Sequence, residues 1–176
     1  MTREDGARQV RSLAMSFVYA FRGVGYCIRT GRNMRIHLVV TVYVLAFAPF
    51  YRFETAEFLL LLVAIGLVLF AETVNTAIEV LVDMEKPCYN ISARIVKDVA
   101  AGAVLICAVF AAAVGVILFG KPDVLAHIGR TLWENWPLGV LFLFSLPAAA
   151  AFIFRRPVPS GPRPVRMKSR RADKLK

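Results

Sequence analysis

Phe58-Leu59-Leu60-Leu61-Leu62-Val63-Ala64-Ile65-Gly66-Leu67-Val68-Leu69-Phe70 runs without a break into Ala71-Glu72-Thr73-Val74-Asn75-Thr76-Ala77-Ile78-Glu79-Val80-Leu81-Val82-Asp83. The first half is apolar throughout and predicts a helix in hydrocarbon. The second half places three acids and an amide on that same helix. At 100° per residue, Glu72, Asn75, Glu79 and Asp83 fall within a sector of roughly 80°. Polar side chains at that depth are costly, and they mark a site or a pathway. The two halves together predict a membrane helix whose polar end carries the chemistry.

The rest of the chain agrees. Of 176 residues, 58% are hydrophobic and only 19% charged, which excludes a disordered chain and an ordinary water-soluble domain. Four stretches can span a bilayer, 36–53, 57–82, 99–119 and 137–154; 18 residues at helical rise reach about 27 Å. Pro49 sits near the end of the first and weakens it as a span, and Pro147 predicts a bend in the last. The first 35 residues hold no unbroken apolar run of signal-peptide type. Cys27, Cys88 and Cys107 are scattered and His37 and His127 stand apart, so neither a disulfide frame nor a zinc site is indicated. The fold class expected is an all-α membrane protein.

Charge sets the expected orientation. Of 22 lysines and arginines, 19 fall in residues 1–35, the 83–98 loop and the tail from Arg155; only Arg52, Lys121 and Arg130 fall on the other side. The positive-inside rule then puts both termini in the cytoplasm and Trp133 and Trp136 at the outer interface. The formal net charge of +10 reflects topology and attraction to an anionic bilayer surface, with no nucleic acid needed to explain it.

Four regions follow: a cytoplasmic N-terminus with a surface helix (1–35), a three-helix membrane core (36–119), an outer loop with an extra transmembrane helix (120–154), and a polybasic tail (155–176). In the first, Val10, Leu13, Ala14, Phe17, Phe21, Val24 and Ile28 recur at helical spacing, with Arg8, Arg11, Arg22 and Arg29 near the opposite pole. Such a helix lies in the membrane interface. It is an anchor, or its arginines also hold polyphosphate beside the acidic stripe. The tail has four prolines and nine basic residues, which suit a clamp on anionic lipid.

Ser92-Ala93-Arg94-Ile95-Val96-Lys97-Asp98 opens the next apolar helix, across a short turn from the stripe. Phosphoryl transfer needs a base for the hydroxyl, carboxylates for Mg²⁺ and a cation for phosphate charge. A helix start at Val96–Asp98 would add free amides for an anion. The competing readings are Asn75 as interhelical glue, Lys97–Asp98 as a capping ion pair, and the stripe as an ion or proton pathway. A pathway would need polar residues to continue through 58–70, and none is there. Neither GxxxxGK[ST] nor GxGxxG occurs.

Glu72-Thr-Val-Asn75-Thr-Ala-Ile-Glu79-x-x-x-Asp83, followed after 13 residues by Lys97-Asp98-x-Ala-Ala-Gly-Ala-Val-Leu, closely resembles the prokaryotic diacylglycerol kinase family, which includes the undecaprenol kinases of Gram-positive bacteria. Ser16-Phe17-x-Tyr19-Ala20-Phe21-x-Gly23 and Arg32-Asn33-x-Arg35-Ile36-His37 resemble its N-terminal pattern. The resemblance covers roughly residues 12–119. It implies a homotrimeric kinase of the bacterial inner membrane, with three transmembrane helices and a surface helix per chain. Sites would be shared between subunits, and MgATP would phosphorylate a membrane lipid hydroxyl, of diacylglycerol or undecaprenol.

Carried over by position, the resemblance makes Glu72 the general base and Asn75 an active-site neighbour that orients substrate or base. It makes Glu79 the ligand of Mg²⁺ and nucleotide, and Lys97 with Asp98 contacts to ATP. Tyr19 and Tyr89 match nucleotide-side positions. The chain departs from the pattern at Gly31, where many relatives carry a glutamate that is a second metal ligand. No acid lies between Asp5 and Glu54 to replace it. That leaves Glu79, phosphates, water, and Asp83 or another subunit. The outcome is a working kinase with weakened Mg²⁺ affinity, or a degenerate homologue. The second departure is everything after about residue 120.

Overall fold

The computed structural model describes residues 3–85 and 91–156. Among them are six α-helices and no strand: α1 (Arg3–Thr30), α2 (Arg32–Phe47), α3 (Thr55–Glu85), α4 (Ile91–Phe119), α5 (Pro122–Glu134) and α6 (Trp136–Phe154). Four spans are long and apolar enough to cross a bilayer, Arg32–Tyr51, Thr55–Met84, Ile91–Phe119 and Trp136–Phe154. Each overlaps one of the four stretches read from the sequence, the third beginning at Ile91 and not at 99. This is an all-α, multi-pass membrane protein.

Each element ends where its sequence makes it end. Gly31, in extended conformation, separates α1 from α2 by a single residue, and its N–H still reaches the Cys27 carbonyl at 2.8 Å. Pro49 cannot extend an α-helix through its missing N–H, so the chain tightens into a 3₁₀ turn, Ala48–Tyr51. Arg52 then turns through a left-handed conformation (φ 46°). Glu57 in the first turn of α3 accepts from the Glu54 N–H at 2.9 Å and caps the start of the longest helix.

α3 and α4 form an antiparallel hairpin, with α2 and then α6 packed on its flank. Where α2, α3 and α4 meet at the end opposite Glu72, Ala48, Leu61 and Leu118 form a small core with Val44, Phe53 and Val114 beside it. Tyr51, Phe53 and Phe119 stack over it, and Tyr51 Oη donates to the Phe119 carbonyl at 3.1 Å. Most of each span stays uncovered by protein, as surfaces that face lipid must. The apolar stripe of α1 is likewise open, Leu13, Phe17 and Phe21 each being more than 60% exposed. That suits a helix lying in the interface.

Two segments differ from the sequence reading. The connection at 120–136 is not a plain loop, because it holds α5. Pro122 sits in the first helical turn with Asp123 beside it, and Leu125, Ile128 and Leu132 recur on one face, with Ile128 buried. Gly139 permits the tight corner into α6, since a Cβ there would stand 2.5 Å from the Leu132 carbonyl oxygen. Val96–Asp98 do not begin a helix either. α4 starts at Ile91, so their amides lie inside it and are not open to an anion. α6 runs uninterrupted past Pro147. The polybasic stretch beyond Arg156 lies outside the described residues.

Candidate active site

α3 delivers the acidic stripe into a cavity of about 300 Å³ at the end of the bundle where α1 meets α2. Glu72, Asn75, Thr76 and Glu79 form one wall; Tyr26, Thr30, Gly31, Arg32 and Asn33 form the other. The depth order follows the helix. Glu72 and Asn75 are buried, 3% and 6% exposed, whereas Glu79 is open to solvent.

Hydrogen bonds organise this wall. Asn75 Nδ2 donates to Glu79 Oε1 at 3.0 Å. Thr76 Oγ1 donates to the Glu72 carbonyl at 3.0 Å. The Met34 backbone amide, in the open first turn of α2, lies against the Glu72 carboxylate. Glu72 Oε2 and Asn75 Oδ1 are buried with no hydrogen-bond partner among the described residues. Buried acceptors are normally satisfied, so two bare ones on a cavity wall are poised for a donor or a cation from a bound molecule.

Gly31 faces this wall. A Cβ built there would stand 3.8 Å from Glu72 Oε1, so a longer acidic side chain at 31 would enter the cavity. It would also stand 2.9 Å from the Cys27 carbonyl oxygen, a contact no side chain tolerates without a backbone shift. The one-residue break between α1 and α2 is therefore drawn tight around glycine. Beneath it, Cys27 is buried, and burial pushes its thiol pKa up against a partly offsetting hydrogen bond with Thr76.

The remaining sequence candidates stand apart from the cavity. Lys97 Nζ pairs with Asp83 Oδ1 of α3, further along the stripe from Glu79. Asp83 is thus engaged by a lysine and does not line the cavity. Asp98 pairs with Arg94 at 3.6 Å, one turn back on its own helix, so Lys97 and Asp98 do not act as one ion pair. Tyr19 projects from α1 with its ring 6.0 Å from the Arg22 guanidinium. Tyr89 lies outside the described residues. Among the arginines, Arg32 lines the cavity, and Arg22 and Arg29 of the surface helix do not.

Residues not singled out from the sequence complete the second wall: Tyr26, Thr30, Arg32 and Asn33. Arg32 and Asn33 had a signal, since they belong to the Arg-Asn-x-Arg-Ile-His string. Tyr26 and Thr30 had none beyond their place on the polar side of α1, and only the turn at Gly31 brings them to face α3.

Set beside known proteins, the chain matches the sequence profile of the family described as Prokaryotic diacylglycerol kinase over residues 18–119. A diacylglycerol kinase of Synechocystis is 38% identical over 121 residues, covering 68% of this chain and 69% of that protein. An undecaprenol kinase of Bacillus subtilis is 32% identical over 119 residues, covering 68% of this chain and 97% of that protein. No solved structure matches.

Proposed function

This chain belongs to the prokaryotic diacylglycerol kinase family, and on that footing we propose that it moves the γ-phosphoryl group of ATP to a hydroxyl of a membrane lipid. It is a lipid kinase; the nucleotide, the metal and the roles of single residues are the finer reading. The observation that carries that reading is the buried Glu72 carboxylate, whose bare Oε2 lines a polar cavity at the end of an otherwise apolar helix. A general base needs a free acceptor where the reacting hydroxyl can reach it, and Glu72 is the acid of the stripe that adjoins the apolar run Phe58–Phe70.

In the reaction, Glu72 takes the hydroxyl proton as the lipid oxygen bonds to the γ-phosphorus. The bond from that phosphorus to the β–γ bridging oxygen breaks, and ADP leaves. Asn75 holds Glu79 in place and presents its free Oδ1 beside the base. Arg32 supplies a cation on the facing wall, and Lys97 reaches nucleotide only by exchanging Asp83 for phosphate. Mg²⁺ fits this donor set as part of MgATP, with Glu79 its protein ligand and phosphates and water supplying the rest. Bound there, it would neutralise phosphate charge.

The excess of lysine and arginine at the cavity end supports placing this site on the cytoplasmic face, where ATP is. A trimer with shared sites is part of the same proposal and rests on membership of the family. The acceptor is diacylglycerol or undecaprenol, each with one primary hydroxyl.

The test is phosphate transfer from ATP by purified protein in mixed micelles, with each lipid in turn, across a Mg²⁺ series, and with Glu72→Gln alongside. Transfer to one lipid that Glu72→Gln abolishes supports the assignment. No transfer at any Mg²⁺ concentration, from folded and oligomeric protein, would identify a degenerate homologue.

A further inference from the structure

Arg35 is as deeply buried as Glu72, each being 3% exposed, yet the reaction makes no use of it. Among the described residues no carboxylate pairs with it. Its guanidinium instead gathers backbone carbonyls: Nε donates to Gly31 at 3.3 Å, and Nη1 donates to Phe152 at 3.1 Å and to Arg155. Phe152 and Arg155 close the C-terminal end of α6, where carbonyls have no partner inside the helix and carry the negative end of its dipole. One cation therefore joins the end of α6 to the break between α1 and α2.

α6 is fixed further along the same face of α2. Tyr43 Oη and Ser145 Oγ share a 2.8 Å hydrogen bond, and the Phe142 ring packs edge-on against Tyr43 and Phe47. The family match ends at residue 119, so this helix is an addition to the catalytic core. What it grips is the turn whose Gly31, Arg32 and Asn33 line the cavity: Arg35 holds the Gly31 carbonyl, and the amide of Met34, the next residue, lies against Glu72.

We propose that α6 braces the active site, with Arg35 as the positioning residue through which the C-terminal carbonyls of α6 hold the Gly31–Met34 turn against Glu72. The function of the turn rests on the reading of Glu72 as the base; the mechanical link does not. A mobile turn would leave Glu72 without its amide neighbour and widen the cavity. The base would then be misplaced relative to the lipid hydroxyl, which lowers turnover more than nucleotide binding.

Two readouts on the full-length protein test this. One is the kcat and KM of phosphate transfer from ATP to diacylglycerol in micelles. The other is alkylation of Cys27 in a Cys88→Ser, Cys107→Ser background, since Cys27 is buried directly under the turn. Arg35→Gln is expected to speed Cys27 alkylation and to lower kcat, each by about tenfold or more, with KM for ATP changed by less than about twofold. Arg35→Lys, which keeps the charge but not the fork, falls between. Phe142→Ala, remote from the cavity, produces the same pattern by loosening α6, and it decides the matter if Arg35→Gln does not fold.

Wild-type values of both readouts in Arg35→Gln and Phe142→Ala would overturn the brace. So would a loss in Arg35→Gln alone, with Phe142→Ala inert, because Arg35 would then act without α6. If the unmutated protein transfers no phosphate, the kinase reading fails, while Cys27 alkylation still decides the brace.

Discussion

Asn75 Nδ2 donates a 3.0 Å hydrogen bond to Glu79 Oε1 one turn further along α3, which ties the solvent end of the acidic stripe to its buried end. The other half of the amide, Oδ1, is buried and unpartnered among the described residues. An amide kept half-satisfied inside a membrane helix costs stability, since a buried bare acceptor carries a desolvation penalty of about 1–3 kcal/mol. Asn75→Leu should therefore separate folding from function. Its melting temperature is expected to equal or exceed that of the unmodified protein, while kcat/KM falls by about a hundredfold. Thermal unfolding in detergent and steady-state kinetics measure the two; a parallel loss of both would make Asn75 a structural residue.

Gly31 makes a second test, because a side chain there enters the cavity 3.8 Å from Glu72 Oε1 and also crowds the Cys27 carbonyl at 2.9 Å. Gly31→Glu should lower the Mg²⁺ concentration for half-maximal turnover by about tenfold, by adding a carboxylate to the metal's ligands. It should also cost about 1 kcal/mol of stability through the forced backbone shift. Gly31→Ala carries the steric cost without the carboxylate, so its melting temperature should fall by a similar amount with the Mg²⁺ dependence unchanged. An unchanged Mg²⁺ dependence in Gly31→Glu would show that the carboxylate does not reach the metal.

The sequence made some of this legible for physical reasons and hid the rest for others. The four spans and the face shared by Glu72, Asn75 and Glu79 are local facts of helical period and apolar run length, so the chain states them directly. Depth along α3 was legible too, because it follows from distance to the helix end. Partners across helices were not. Lys97 sits one residue from Asp98 but pairs with Asp83 on another helix, and Asp98 turns back to Arg94. Adjacent residues on a helix point about 100° apart, so neighbours in sequence seldom act as one site. Tyr26 and Thr30 join the cavity only because the helix breaks at Gly31. Arg35 lay in view within a recognised motif, but nothing local says that its partners are carbonyls more than a hundred residues away.

The Lys97–Asp83 pair allows the nucleotide role of Lys97 to be isolated. Its side chains are 35% and 54% exposed, so the pair contributes at most about 1 kcal/mol to stability. Lys97→Met should raise KM for ATP by about tenfold while shifting the melting temperature little, because a phosphate contact is lost where the ion pair was weak. Asp83→Asn releases Lys97 from its carboxylate and should leave KM for ATP unchanged or lower it. If both variants raise KM equally, the pair matters as a unit, and Lys97 does not leave Asp83 to bind phosphate.

Cys27 gives a prediction in pH. Burial raises its thiol pKa, with the nearby Glu72 charge adding to the rise and the Thr76 hydrogen bond opposing it. The nucleophile in alkylation is the thiolate, so a raised pKa means a smaller thiolate fraction at any pH below it. For a thiol of ordinary pKa, the rate climbs about tenfold per pH unit and levels off as the pH passes about 8.5. For Cys27 in the Cys88→Ser, Cys107→Ser protein, the climb should continue beyond that point. The rate at pH 8 should be at least about tenfold below that of a free cysteine peptide. Stopped alkylation across pH 7 to 10, with mass detection, measures both. Glu72→Gln removes the carboxylate charge and should move the levelling point to lower pH, by less than burial moves it up, since burial is the larger cause. A levelling point at the ordinary value of about 8.5 with Glu72 unmutated would instead show that water reaches Cys27 and that the turn at Gly31 does not keep it buried.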